Sequence, residues 1–228
     1  MKQIPLAIGP EVLPTFDSFL AGANLAALEH LRSLDERSAP VYLWGPPGSG
    51  KSHLLRALVH DRQRLGERTG CFDAADAAPW GWQDAWSLVV VDGCERLDAA
   101  RQQAAFALFV QAQEAGARWV AAGRLPPVDL PLRDDLRTRL AWGHVFALQP
   151  LAEHETRAVL RREADRRGIF LADEVMDHLM TRFDRDLVSL TQLLDRIDRF
   201  ALERQRAVTL PLLRRMLEEE LAEAGSRA

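Results

Sequence analysis

The 228-residue chain has almost no lysine: Lys2 and Lys51 stand against 27 arginines. It has one tyrosine, Tyr42, and two cysteines, Cys71 and Cys94. Two cysteines without metal-ligand spacing exclude a zinc module and a disulfide framework, and reduced thiols are expected. No stretch approaches the roughly 18 unbroken apolar residues of a membrane span. The first residues also lack the charged-then-apolar order of a signal peptide. A cytoplasmic chain with no membrane partner is therefore expected. The net charge of −4 gives no overall attraction to nucleic acid. The remainder is ordinary for a globular protein, and the length allows one domain or one domain with a smaller second one.

In so lysine-poor a chain, the setting of Lys51 stands out. Val41–Trp44 reads as a short buried strand. It runs into Gly45, Pro46, Pro47, Gly48, Ser49, Gly50, Lys51 and Ser52, which fit the pattern G-x-x-x-x-G-K-[ST]. From His53 to Leu58 the chain continues as a helix. Strand, glycine turn and helix form the context in which this pattern binds phosphate. The glycines let backbone N–H groups turn inward, and the helix start adds its positive end. Lys51 is placed to reach the outer phosphates, and the Ser52 hydroxyl to hold magnesium. His53 closes the expected nucleotide-contacting stretch.

Ser87–Asp92 is a second clear strand. Its unbroken β-compatible run indicates burial on both faces, as in a parallel sheet. Asp92 ends it at the carboxyl edge, where ligands collect in open α/β sheets. There it is expected to join the magnesium shell. Around these strands the pattern alternates. A helix over about 24–34 is capped by Asn24, and Cys71-Phe72 is a faint strand. A helix over 99–115 is capped by Asp98, and a strand over 118–122 follows. A short arginine-rich helix, 132–140, precedes a strand over 144–148. Trp80 and Trp82 fall in a stretch without period, 73–84, with Trp86 just beyond it, and all three are expected in the core.

After Pro150 only helical periods remain. Four amphipathic segments, with Asp173 and Thr209 as caps for the second and fourth, make a small bundle. Arg161, Arg162, Arg166 and Arg167 alternate with acids and read as a solvated face. The expected division is a tail over 1–14, an α/β nucleotide-binding domain over 15–150 and a helical domain over 151–228.

This order of parts resembles an AAA+ ATPase: a P-loop NTPase α/β fold with a parallel sheet flanked by helices, followed by a small all-helical lid. Phe16-Asp17-Ser18-Phe19 with Gly22, Pro126-Pro127, and Asp135-Leu136-Arg137-Thr138-Arg139-Leu140 are similar to the DnaA branch. After the fourth lid helix there is no room for DnaA's helix-turn-helix domain. The tail Gln3-Ile4-Pro5-Leu6-Ala7-Ile8 resembles a clamp-binding peptide. Both features narrow the resemblance to the DnaA regulatory inactivators, the Hda family.

The resemblance implies ADP or ATP with Mg2+ as cofactors. It implies DnaA and the sliding clamp (beta subunit of DNA polymerase III) as partners, with DNA reached through the clamp, and leaves open a homodimer. Arg139 matches the arginine finger given in trans to DnaA's nucleotide, with Arg137, two residues earlier, as the fallback. Negative regulation of replication initiation is the implied function. Several positions depart from the family pattern. Gly93 stands where a second acid would polarise water, and Glu95 substitutes only if the loop bends. Arg124 occupies the first sensor position and Val188 the second, with Arg185 as its replacement. Nucleotide binding with slow intrinsic hydrolysis is the expectation. The alternative is an independent ATP-driven loader or remodelling ATPase; a small-molecule kinase explains neither the helical segment nor Arg139.

Overall fold

Five parallel strands form one sheet in the order β2-β3-β4-β1-β5. They are β1 (Val41–Trp44), β2 (Arg68–Asp73), β3 (Trp86–Asp92), β4 (Arg118–Gly123) and β5 (His144–Ala147). The computed structural model describes residues 14–35, 38–182 and 187–225. In register, Val41 lies opposite Val120 on one side and His144 on the other, and Val91 opposite Ala121.

The apolar runs are continuous because helices cover both faces. On one face Tyr42, Val89, Val91, Trp119 and Ala121 pack with Leu108, Phe109 and Ala112 of α3 (Ala99–Ala115). Leu136 and Leu140 of α4 (Asp134–Ala141) join them. On the other face Val41, Leu43, Leu88, Val90, Val120 and Ala122 meet two helices. These are α1 (Leu25–Arg32), through Leu28 and Leu31, and α2 (Lys51–Arg64), through Leu54, Leu55 and Leu58. Successive strand residues point to opposite faces, so a run apolar at every position fits only a sheet covered twice. Each fully buried leucine or valine contributes about 1.5–3 kcal/mol relative to exposure. Trp80 belongs to the first core, with Trp82 and Trp86 packed at its margin, as expected.

The chain divides into two compact units. The first runs to Gln149 and the second from Pro150, with Pro47–Ser49 grouped with the second. The second unit consists of α5 (Glu153–Arg166), α6 (Asp173–Arg182), α7 (Leu187–Arg204) and α8 (Leu210–Gly225). Its core includes Leu160, Met176, Leu179, Leu190, Leu194, Ile197, Leu213 and Met216. Each helix buries one stripe at 3- and 4-residue spacing, which is why the periods are plain in the sequence.

Two expected caps are corrected. The Asn24 side chain does not cap α1. Its amide donates to the Gln149 carbonyl at 2.8 Å and its oxygen accepts from the Gln149 N–H at 2.8 Å. A buried amide with both ends satisfied by one distant peptide outweighs a local cap. Asp173 is the first residue of α6 rather than its cap, and its carboxylate pairs with Arg161. Asp98 does cap α3, accepting from the Arg101 N–H at 2.9 Å. Thr209 Oγ1 accepts from the Leu212 N–H at 3.4 Å. The second strand is longer than Cys71-Phe72 suggested, because pairing with β3 draws in flanking residues with little strand character of their own. Among the described residues no helix is long and apolar enough to cross a membrane.

Candidate functional site

The strand order puts a crevice at the carboxyl ends of β1 and β4. The connection after β1 leads away to β2, while that after β4 leads across to β5. Neighbouring strands whose connections diverge leave the space where ligands bind in open α/β sheets. The glycine loop enters this space directly from β1, and its Gly45 N–H donates to the Gly123 carbonyl at 3.3 Å.

The loop turns left-handed at Gly48 (φ 76°) and Gly50 (φ 91°). Such turns make concavities lined by backbone N–H groups that bind anions. Gly50 also caps α2, and a β-carbon there would lie 2.5 Å from the Phe19 ring. Both the backbone and the packing therefore require glycine. α2 begins with Lys51, whose Nζ donates to the carbonyls of Gly45 at 2.7 Å and Pro46 at 2.8 Å. Burial chiefly holds the Lys51 ammonium below its ordinary value; Asp92 and Glu95 pull it up, and Arg124 pushes it down. The Ser52 hydroxyl donates to Asp92 Oδ2 at 2.5 Å, while Asp92 Oδ1 accepts from the Gly93 N–H at 2.8 Å. A hydroxyl and a carboxylate at the end of a phosphate loop are the hard oxygen donors that suit magnesium, which keeps several waters and phosphate oxygens as its other ligands. Among the described residues no group of three or more His, Cys, Asp or Glu forms an all-protein metal cage.

The structure thus brings Gly45, Pro46, Gly50, Lys51, Ser52 and Asp92 together. His53 turns elsewhere. Its Nε2 lies 3.1 Å from the Thr15 carbonyl and 3.2 Å from Ser18 Oγ, and its ring lies 5.5 Å from that of Phe19. Burial lowers its pKa, with Arg56 adding to that, while the Thr15 carbonyl favours the charged ring. The His53 side chain anchors the Thr15–Phe19 segment to the first turn of α2. The sequence carried no spacing signal for this contact, because 35 residues separate His53 from Ser18.

Gly93 is left-handed (φ 69°), and a β-carbon there would lie 2.4 Å from the Arg96 guanidinium. The turn of Cys94–Arg96 then carries Glu95 back toward β4. The bend that Glu95 needed is therefore present. Glu95 lies against Arg124, a partner that reading the two positions separately had missed. The only available signal was that opposite charges follow two strands that turn out to be adjacent. Burial pushes the Cys94 thiol well up, so it is inert at neutral pH.

Arg139 sits apart from the loop, on α4. Its guanidinium lies 5.9 Å from the Phe106 ring and 5.7 Å from the Phe109 ring. The acids near it on the helix are taken: Asp134 by Arg137 at 2.5 Å and Asp135 by Arg133 at 2.6 Å. Gln3, Ile4, Pro5, Leu6, Ala7 and Ile8 lie outside the described residues, as do Arg185 and the Val188 side chain.

Comparison with known proteins bears on both units. Residues 153–217 match the family model described as "Hda, lid domain". Domain III of the Thermotoga maritima replication initiation protein DnaA superposes with a TM-score of 0.75 at 19% identity, covering 92% of this chain and 97% of that one. AMPPCP-bound DnaA from Aquifex aeolicus gives 0.66 at 18%, covering 83% and 65%. The Thermotoga maritima RuvB Holliday junction branch migration motor gives 0.65 at 17%, covering 90% and 71%. At such identities the likeness establishes the fold alone, and the lid match concerns residues 153–217. The glycine loop thus lies on a 2-3-4-1-5 parallel sheet with the fold of DnaA domain III, and residues 153–217 are similar to the Hda lid domain.

Proposed function

We propose that this protein is a nucleotide-bound negative regulator of replication initiation, which stimulates ATP hydrolysis by DnaA. In this reading ADP or ATP lies in the loop Gly45–Ser52. Phosphate oxygens take over the Lys51 Nζ donors now turned to the Gly45 and Pro46 carbonyls, and magnesium joins Ser52 and Asp92. The Aquifex aeolicus DnaA, of the same fold and bound to AMPPCP, supports an adenine nucleotide as the ligand. The segment Gln3–Ile8 docks on the sliding clamp loaded on DNA, and the protein meets DnaA there. DNA is reached only through the clamp.

The observation that carries the reading is the state of Arg139. Its acidic helix neighbours pair with Arg133 and Arg137, and it rests on two aromatic rings, with no carboxylate partner among the described residues. A partly buried cation over an aromatic ring is held by about 0.5–2 kcal/mol. A phosphate across a subunit interface can draw it away, and a forked, permanently charged guanidinium suits that target. A finger supplied in trans raises phosphoryl transfer by roughly 10³ to 10⁵. The test is the ATPase of DnaA mixed with this protein and DNA-loaded clamp. Arg139→Ala should abolish the stimulation while Arg137→Ala largely keeps it. Full stimulation by Arg139→Ala would sink the assignment.

A second reading, an independent loader or remodelling ATPase, draws support from Glu95, which the turn after Gly93 carries back to the end of β4. It predicts brisk turnover by the protein alone.

A further inference from the structure

The sheet has two edges, and they are finished differently. β2 forms one edge, with a charge at each end, Arg68 and Asp73, and a break in register between Arg68 and Thr69. Charged, irregular edges of this kind resist pairing with another chain. β5 forms the other edge, with His144, Val145, Phe146 and Ala147. It carries no acid, arginine, lysine or proline, and its pairing with β1 runs without a break.

The main chain of β5 sorts its polar groups by parity. The His144 N–H donates to the Pro40 carbonyl at 2.8 Å, and the Leu148 N–H to the Trp44 carbonyl at 2.6 Å. Alternate residues of a strand turn to alternate sides, so His144, Phe146 and Leu148 bond to β1. Val145 and Ala147 present their N–H and C=O groups outward, and among the described residues no hydrogen bond takes them up. The side chains divide the same way between the two faces. The His144 and Phe146 rings lie 4.4 and 5.1 Å from that of His30, so α1 covers them. Val145 lies on the opposite face and is 39% exposed. Trp142, just past the end of α4, is 65% exposed. With Pro40, Gln113 and Gly116 it lines a cavity of ≈ 370 Å³ at the start of β5. Open main-chain groups, an exposed valine and a tryptophan-walled cavity thus follow one another along this edge.

We propose that the β5 edge is a docking site for an extended peptide segment of a partner protein, which adds a strand to the sheet and places a large uncharged side chain in the cavity beside Trp142. The inference goes beyond the reading of the phosphate loop and does not depend on it. Strand addition draws affinity from main-chain hydrogen bonds and specificity from pockets for alternate side chains. The chemistry of β5 selects the occupant. The strand holds no ionic side chain, so a charged residue laid against it loses water and gains no partner. The extent of the edge selects it too. Only Val145 and Ala147 offer outward groups, whereas a stable contact between two globular proteins buries roughly 800 Å² on each. Two residues and one cavity suit a peptide and fall short of what a second copy of this chain needs.

The test uses the full chain and a short fluorescein-labelled peptide alternating threonine and leucine, with the same peptide N-methylated at every second amide as control. The probe should bind with a micromolar Kd, and the N-methylated control should bind more weakly by about tenfold or more. Amide exchange read by NMR should slow by about tenfold or more at Val145 and Ala147 in the complex. His144 and Phe146, already bonded to β1, should change little. Val145→Pro leaves the bonds to β1 in place, because the Val145 N–H is not among them, and should weaken the probe by about tenfold to a hundredfold. Trp142→Ala should weaken it by a smaller factor. Nucleotide affinity should stay within about twofold in both variants, which reports that the fold is kept. No binding at millimolar probe, equal binding of the N-methylated control, or protection that bypasses Val145 and Ala147 would overturn the inference. These three readouts hold even where Val145→Pro does not fold. Protection of Val145 and Ala147 that rises with protein concentration in the absence of probe would also overturn it, in favour of a second copy.

Discussion

The two ends of the parallel sheet both carry clusters of charge, and they are built for different ends. At the amino ends of the strands lie Glu67, Ser87 and Arg118. Arg118 is 5% exposed; its guanidinium pairs with Glu67 and its Nε donates to the Ser87 carbonyl at 3.1 Å. The Ser87 hydroxyl donates to Glu67 Oε2 at 2.7 Å, and Arg62 Nη1 stands 3.7 Å from Glu67 Oε1. Each of these groups is matched by a group it cannot leave without stranding a buried charge. At the carboxyl ends lie Lys51, Ser52, Asp92, Glu95 and Arg124. There Lys51 donates to carbonyls of its own loop, and Arg124 is largely open to solvent. Those partners are exchangeable for an anion. Charge clustering alone does not distinguish a fastener from a site; exposure and the replaceability of partners do.

The largest effect should come from the open end. Lys51→Ala removes two charge-assisted donors, each worth about 1.5–3 kcal/mol. Nucleotide affinity measured by calorimetry should fall by about a hundredfold or more. The circular dichroism spectrum should stay that of the wild type, because the bonds to the Gly45 and Pro46 carbonyls lie within the loop. If affinity survived, the two ends would be alike after all. At the closed end Glu67→Gln should do the reverse, lowering the unfolding free energy by about 3 kcal/mol through an unpaired buried Arg118 while nucleotide affinity is kept.

The smallest effect sharpens the contrast through pH. Burial alone would raise the Glu67 pKa, but the Ser87 hydroxyl, Arg118 and Arg62 together bring it below its ordinary value of 4.5. A carboxyl whose folded pKa is depressed stabilises above its unfolded value and loses that contribution as pH falls through the folded one. The stability gap between wild type and Glu67→Gln should therefore be constant near neutrality and shrink below about pH 4.5 in urea titrations. A gap that widened with acid would show that the amino-end cluster does not hold Glu67 ionised.

What was legible in the sequence was local. Glycines at fixed spacing before Lys51-Ser52 specify a turn, and unbroken apolar runs such as Leu88–Val91 specify strands covered on both faces. Stripes such as Leu190, Leu194 and Ile197 specify one-sided helices, and Asp98 before a helical period specifies a cap. Each follows from the chemistry of a few neighbouring residues. Tertiary structure decided which distant groups meet. Strand order placed Arg124 beside Gly45, and the left-handed bend at Gly93 turned Glu95 toward it. Asn24 gave up a cap for the Gln149 peptide, and His53 bound the Thr15–Ser18 segment. None of these pairings leaves a periodic trace, because a hydrogen bond between residues 29 to 125 positions apart depends on how the sheet is ordered and not on any local preference.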